Sequence, residues 1–292
     1  MTVPRILIIA GSDSGGGAGI QADIKTVTML GGHAMTAITA ITAQNTLGVE
    51  AVMPVPTEIV LRQIEAVLAD LGADAIKIGM IGSAETAAAI ASRIEALHDI
   101  PIVFDPVMVA TSGSVLADEA TIAGFERLMR LSTLVTPNLP ELETLAGAEL
   151  SGEDEIVAAA AALYREHGCR VLAKGGHSAG GRIDDFLIWE KGTIAHHSDR
   201  VDTLHTHGTG CTLASAIATG LGGGLPLDRA VDRGLHYVHA AILAAPGFGR
   251  GNGPIGHSLA TTPYHHLKAA QEGGEWGVET WDSVWSPGGT RH

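Results

Sequence analysis

An alternation constrains this chain more than any other feature. Short β-branched runs are followed repeatedly by segments of helical period: "RILIIA" then "GIQADIKTVTMLGG", "AVMPV" then "TEIVLRQIEAVLADLG", "AIKIG" then "SAETAAAIASRIEALH", "PIVFD" then "DEATIAGFERLMRL". Parallel strands need a crossover helix where antiparallel ones need only a turn, so such units in succession predict a largely parallel sheet with helices on both faces. The chain continues with "TLVTPN", an Ala-rich helix over 153–167, "RVLAKGG", a hairpin in "DDFLIWEKGTIAHH" and helices over 209–221 and 227–245. For 292 residues, one α/β domain over 1–268 is the economical division, leaving 269–292 as a tail. That tail holds Trp276, Trp281 and Trp285, which read as rings docked on its own body or on a partner. The run "TAITAITAQ", 36–44, repeats every three residues and fits neither regular period; its β-branched content makes it a buried strand.

Composition bounds the function classes. A net charge of -14 with only 18 Lys and Arg argues against a nucleic-acid or anionic-membrane surface, so an anionic ligand must have its charge met locally. No run approaches the roughly 20 apolar residues of a membrane helix, and Ile6 to Ala10 reads as a first strand rather than a signal core. Two cysteines, Cys169 and Cys211, make no disulfide framework and fit a reducing cytoplasm. The 38 glycines are roughly twice ordinary usage, which points to tight turns and close backbone approach to a ligand.

Two glycine turns stand out. "AGSDSGGGAGIQAD" opens the first helix, but its glycines fit neither the dinucleotide fingerprint nor the P-loop, so it is a tight structural turn or a ligand loop of another kind. "HTHGTGC", 205–211, opens a later helix with Thr209 or Thr212 as candidate caps. Backbone amides of Gly208, Thr209, Gly210 and Cys211, added to the helix dipole, make an anion site suited to phosphate. The same dipole lowers a thiol's pKa, so Cys211 is a base, a nucleophile, a polar contact or a small buried hydrophobe. A zinc site from His205, His207 and Cys211 is the further alternative, while His196–His197 and His265–His266 read as surface pairs.

Five more residues carry possible chemistry. Asn138 and Glu141 in "TPNLPE" form a capping box or hold Mg²⁺ through water. Asp105 in "FDPVM" ends a strand on the ligand-binding side and suits a metal or phosphate role. Lys174 in "LAKGGH" suits a nucleotide phosphate, or is a solvated lysine. Gln44 offers an amide that pairs with an aminopyrimidine edge or with loop backbone.

In this order, "AGSDSGGGAGIQADIKT", "TAQNT", "KIGM", "DPVMVATSG", "TPNLPE", "KGGH" and "THGTGCTLASAIA" resemble the hydroxymethylpyrimidine/phosphomethylpyrimidine kinases of thiamine biosynthesis, in the ribokinase-like superfamily. The resemblance runs from about Ile6 to His257. It implies a three-layer α/β/α sandwich with a mostly parallel central sheet, a homodimer, and two successive phosphorylations of 4-amino-5-hydroxymethyl-2-methylpyrimidine by MgATP. By position it implies that Gly11, Asp23, Gln44 and Met80 line the pyrimidine pocket and that Asp105, Asn138, Glu141 and Lys174 serve Mg²⁺ and the ATP phosphates. Gly208 to Cys211 would hold the transferring phosphoryl group, with Cys211 as the base. Thr111 stands where many relatives have Lys. The rival readings are a pyridoxal or pyridoxine kinase of the same fold, a cysteine hydrolase built on Cys211 and His207, and a non-catalytic nucleotide-binding regulator.

Overall fold

The structure is a computed structural model and describes residues 2–97, 99–110, 113–175 and 181–259. The elements run β1 (Arg5–Asp13), α1 (Gly19–Met29), β2 (His33–Asn45), β3 (Gly48–Pro54), α2 (Thr57–Asp70), β4 (Ala75–Ile78), α3 (Ala84–Ile94), β5 (Ile102–Phe104) and α4 (Glu119–Leu131). They continue with β6 (Leu134–Val135), α5 (Leu139–Ala146), α6 (Glu153–His167), β7 (Arg170–Ala173), β8 (Arg182–Trp189), β9 (Gly192–Asp199), α7 (Thr209–Gly222) and α8 (Leu227–Leu243). Within the described residues the strands form one sheet of order β3-β2-β1-β4-β5-β6-β7-β8-β9. From β2 to β7 every pairing is parallel, as the alternation predicts.

The strand period of two sorts the core into two layers. On β1, Leu7 and Ile9 pack into the face covered by α2, α3, α4 and α6. Ile6, Ile8 and Ala10 point into the opposite face, where α1, α7 and α8 lie. The result is the three-layer α/β/α sandwich with a mostly parallel sheet that the resemblance implies.

Both sheet edges depart from the simple alternation. β3 turns back antiparallel onto β2 instead of joining a parallel unit, and the β8–β9 hairpin is antiparallel as its sequence predicts. "TAITAITAQ" is a strand, but not a buried one throughout: Ile41 and Ala43 face solvent because this half of β2 pairs with exposed β3. His197 is exposed and bonded to Asp184, while His196 is only partly exposed. Met1–His257 forms one compact unit. Thr111, His265–His266, the tail tryptophans and the boundary at 268 lie outside the described residues.

This topology positions a site. β1 ends in Asp13, β4 is followed by Met80, β5 by Asp105, β6 by Asn138 and β7 by Lys174. All five stand at carboxyl ends of parallel strands, where open α/β sheets bind ligands.

Candidate active site

Above those strand ends lies a cleft of about 1030 Å³, whose wall includes Gly11, Gln44, Met80, Asp105, Lys174 and Cys211. The N-terminus of α7 forms its floor. Gly208, not a threonine, is the N-cap: its φ of 88° is left-handed, and Thr212 instead meets His257 Nε2 through its hydroxyl at 2.9 Å. Gly208 has a second constraint, because a Cβ there would collide with the Gly17 carbonyl oxygen. The two glycine turns are therefore packed backbone against backbone. A first helical turn leaves amides without intrahelical acceptors, so Gly210 and Cys211 carry the positive end of α7 into the cleft.

Above that terminus sit the charged groups. Lys174 Nζ lies 2.9 Å from Asp105 Oδ1, which also accepts from Thr136 Oγ1 at 3.0 Å. A Cβ on Gly210 would stand 3.2 Å from Lys174 Nζ and 3.4 Å from Asp105 Oδ2, so the ion pair rests directly on the helix end. Burial disfavours the Lys174 ammonium, but Asp105 and Glu141 outweigh it and hold the pKa above its ordinary value. Asp105 is likewise opposed by burial and held ionised by Lys174 and Lys77.

Asn138 and Glu141 form the capping box of α5. Asn138 Oδ1 accepts from the Glu141 amide at 2.9 Å, and Glu141 Oε2 accepts from the Asn138 amide at 2.8 Å. The cap is also on the cleft wall, so the structural role does not remove these residues from the site. Burial lifts the Glu141 carboxyl to about 7, against the pull of Lys174. Among the described residues no three His, Cys, Asp or Glu side chains are grouped to hold a metal ion. His207 is turned to Asp13, which removes the zinc alternative. Two carboxylates on the wall, Asp105 and Glu141, suit a hard cation held mainly through phosphate and water.

The first glycine turn is filled from within. Asp13 accepts from the amides of Gly15 at 2.7 Å, Gly17 at 3.0 Å and Ala18 at 2.8 Å, and meets His207 Nε2 at 3.0 Å. Burial raises its pKa, and these donors more than reverse that. Gln44 lies beside this cluster: its Nε2 is 3.3 Å from His207 Nε2 and its Oε1 is 3.1 Å from Thr42 Oγ1. Across the cleft wall, Gly11 leaves room for the Met80 sulfur, which a Cβ would approach to 3.0 Å.

Asp23 does not join Gly11, Gln44 and Met80. It is fully buried under the site, bonded to Lys77 Nζ at 2.8 Å and to Ser215 Oγ at 2.7 Å, because α1 turns this position inward against α7. Lys77 is equally buried, and the Asp23 and Asp105 carboxylates keep it charged despite burial. Gly79 makes space for it, since a Cβ there would lie 2.7 Å from Lys77 Nζ. Cys211 also differs from the helix-dipole expectation. Burial pushes its thiol up to about 11, with Lys77 opposing and Asp23 and Asp105 adding, so the resting group is a thiol. Burial and two nearby carboxylates exceed the pull of Lys77 and of the Gly19 amide.

The remaining expected residues, Thr209 and Gly210 included, line the cleft. Sequence reasoning passed over Lys77 and Asp13, and considered His207 only as a zinc ligand or hydrolase partner, not as the partner of Asp13. A lone lysine inside the apolar strand "AIKIG" is the mark of a paired buried charge, and Asp two residues before a glycine run is an Asx-turn signature.

The family model described as phosphomethylpyrimidine kinase matches residues 13–256. A thiamine biosynthesis bifunctional protein of Geobacter sulfurreducens is 48% identical over 258 residues, covering 87% of this chain and 52% of its own. The chain thus spans about half the length of that relative. A hydroxymethylpyrimidine/phosphomethylpyrimidine kinase of Rhizobium meliloti is 47% identical over 255 residues, covering 86% of this chain and 96% of its own. Among solved structures, an ADP complex of Bacillus subtilis pyridoxal kinase aligns with a TM-score of 0.83 at 30% identity, over 89% of this chain and 100% of that one. A family match over most of the chain, with a cleft at the carboxyl ends of a parallel sheet, means that this chain belongs to the phosphomethylpyrimidine kinase family.

Proposed function

We propose that this protein uses ATP to phosphorylate 4-amino-5-hydroxymethyl-2-methylpyrimidine and then its monophosphate, yielding the diphosphate for thiamine biosynthesis. The observation that carries the reading is the convergence of Lys174, Asp105 and the α7 amide terminus on one cleft that also holds the Gln44 amide. One side presents cationic and N–H groups to phosphate, and the other a donor and acceptor to a heterocycle.

Phosphoryl transfer asks a protein mainly for positioning and charge neutralisation. At the Gly208 to Cys211 turn the amides of Gly210 and Cys211 hold the transferring group, the Thr209 amide donating instead to the Thr206 carbonyl, and Lys174 balances charge on the ATP phosphates. Mg²⁺, when bound, neutralises phosphate oxygens; Glu141 and Asp105 are the residues that would hold it, with Asn138 fixing Glu141 through the capping box. Cys211 takes the hydroxymethyl proton as thiolate, a form that burial keeps scarce at neutral pH. Gly11, Gln44 and Met80 seat the ring, and Asp23 acts from below through Lys77. The enzyme works as a cytoplasmic homodimer.

A pyridoxal kinase is the second reading, favoured by the likeness to the Bacillus subtilis enzyme. ADP release with MgATP, measured over hydroxymethylpyrimidine, its monophosphate, pyridoxine and pyridoxal, tests both. Turnover of the monophosphate supports the thiamine reading. Turnover of the B6 vitamers alone transfers the assignment to them, and silence on all four removes the kinase reading.

A further inference from the structure

Three contacts around Gln44 do not agree on where its protons are. Asp13 Oδ2 already accepts from the Gly17 and Ala18 amides and lies 3.0 Å from His207 Nε2. A carboxylate oxygen so placed can only accept, so His207 Nε2 must carry a hydrogen whatever the charge of the ring. The Gln44 NH₂ group, 3.3 Å from the same nitrogen, then sets donor against donor. At the other end, the single Thr42 hydroxyl proton faces two acceptors, the Ser12 carbonyl oxygen at 2.9 Å and the Gln44 carbonyl oxygen at 3.1 Å, and serves only one of them fully. Given to the nearer Ser12 carbonyl, it leaves the Thr42 oxygen as an acceptor facing the Gln44 carbonyl oxygen, acceptor against acceptor.

Turning the amide by 180° about its last side-chain bond resolves both conflicts at once. The two ends of a carboxamide have nearly the same shape, so the exchange changes no packing. We propose that Asp13 and His207 are positioning residues that lock the Gln44 amide with its oxygen toward His207 and its nitrogen toward Thr42. His207 Nε2–H donates to the Asp13 carboxylate and to the Gln44 oxygen, and the Gln44 NH₂ donates to the Thr42 oxygen.

The lock has a consequence for selectivity. After these bonds Gln44 has one N–H and one oxygen lone pair left for the cleft, in a fixed spatial order. A ring carrying an amino group beside an unprotonated nitrogen presents donor then acceptor; its oxo counterpart, with a carbonyl beside a ring N–H, presents the reverse. An amide free to turn would accept either, whereas a locked one accepts a single order. This part of the inference rests on the aminopyrimidine reading above.

The test compares kcat/KM for 4-amino-5-hydroxymethyl-2-methylpyrimidine with that for its 4-oxo analogue, using the full chain and two variants. The unaltered protein is expected to prefer the amino ring by about 100-fold or more, because a reversed pair leaves polar groups unpaired. His207→Phe, which keeps a ring but loses the donor, should reduce that preference about tenfold or more while leaving the KM for ATP unchanged. His207→Gln, which returns an N–H near the same place, should restore it. An equal fall on both rings in His207→Phe, with the preference intact, overturns the lock. A second measurement needs no variant to fold well: in protein labelled with [15N]histidine, His207 Nε2 should show the shift of a protonated ring nitrogen from pH 6.5 to 8. A pyridine-type shift there overturns the lock. If neither pyrimidine is turned over, the functional reading fails and the nitrogen shift alone decides the lock.

Discussion

Cys211 and Glu141 carry the most consequential single-residue predictions because burial raises the proton affinity of each. With its thiol pushed up to about 11, Cys211 is protonated in the resting site at neutral pH. If its thiolate takes the substrate proton, kcat should climb as pH rises from 7 toward 10, and Cys211→Ala should both flatten that climb and lower kcat about 100-fold. Pyrimidine KM should stay close to that of the unaltered protein, and steady-state kinetics across pH reads both effects. Glu141 is lifted to about 7 by burial, from an ordinary 4.5. Its folded form therefore holds a proton more tightly than its unfolded form, so its contribution to stability is fully present below about 4.5 and lost as pH rises through 7. Glu141→Gln mimics the protonated state and keeps an acceptor for the Asn138 amide. That variant should be more stable than the unaltered protein by about 3 kcal/mol at pH 8, with the gain gone by pH 4.5, in denaturant titrations. The same change should lower MgATP turnover.

The elements under the cleft owe their arrangement to Lys77 and Asp23, a fully buried ion pair joining β4 to α1 and, through Ser215, to α7. Lys77→Met leaves the Asp23 carboxylate buried without its cation and should cost about 3–5 kcal/mol. Adding Asp23→Leu removes the stranded charge and should recover most of that loss in urea unfolding, a non-additivity that separates pairing from packing. Much of the architecture was legible in the chain: α6 falls on the Ala-rich run over Glu153–His167, and the β8–β9 hairpin and the capping box at Asn138 form where their sequences indicate. These features follow from local periodicity and local hydrogen bonding, which a linear sequence displays. The direction of β3 was not legible, because "AVMPV" reads as a strand in either orientation and its pairing depends on the length of β2. Around the cleft, the motifs brought Lys174, Asp105 and Gly208 to Cys211 together as expected. Asp23 was misplaced because the facing of one turn of α1 against α7 is a tertiary fact. The thiol of Cys211 does not follow the helix-terminus expectation because burial and the carboxylates of Asp23 and Asp105, near in space but remote in sequence, raise its pKa.

At the scale of the whole molecule, the sheet carries an apolar edge that a lone protomer leaves in water. Ile41 and Met53 are paired across β2 and β3 and both are exposed, as are Leu47 and Val52. Edge strands with such side chains invite association, so the proposed homodimer has a surface suited to it. Sedimentation equilibrium should give a dimer for the unaltered protein and a monomer for Ile41→Lys combined with Met53→Lys. The contact between the two glycine turns carries a different consequence. Because the Gly17 carbonyl leaves no space at Gly208, neither turn can shift without displacing the other. A ring seated beside the first turn would thereby alter the affinity for phosphates at the second. Thermodynamic linkage then requires phosphates to alter ring affinity by the same factor, and calorimetric titrations performed in both orders should return two equal factors different from one.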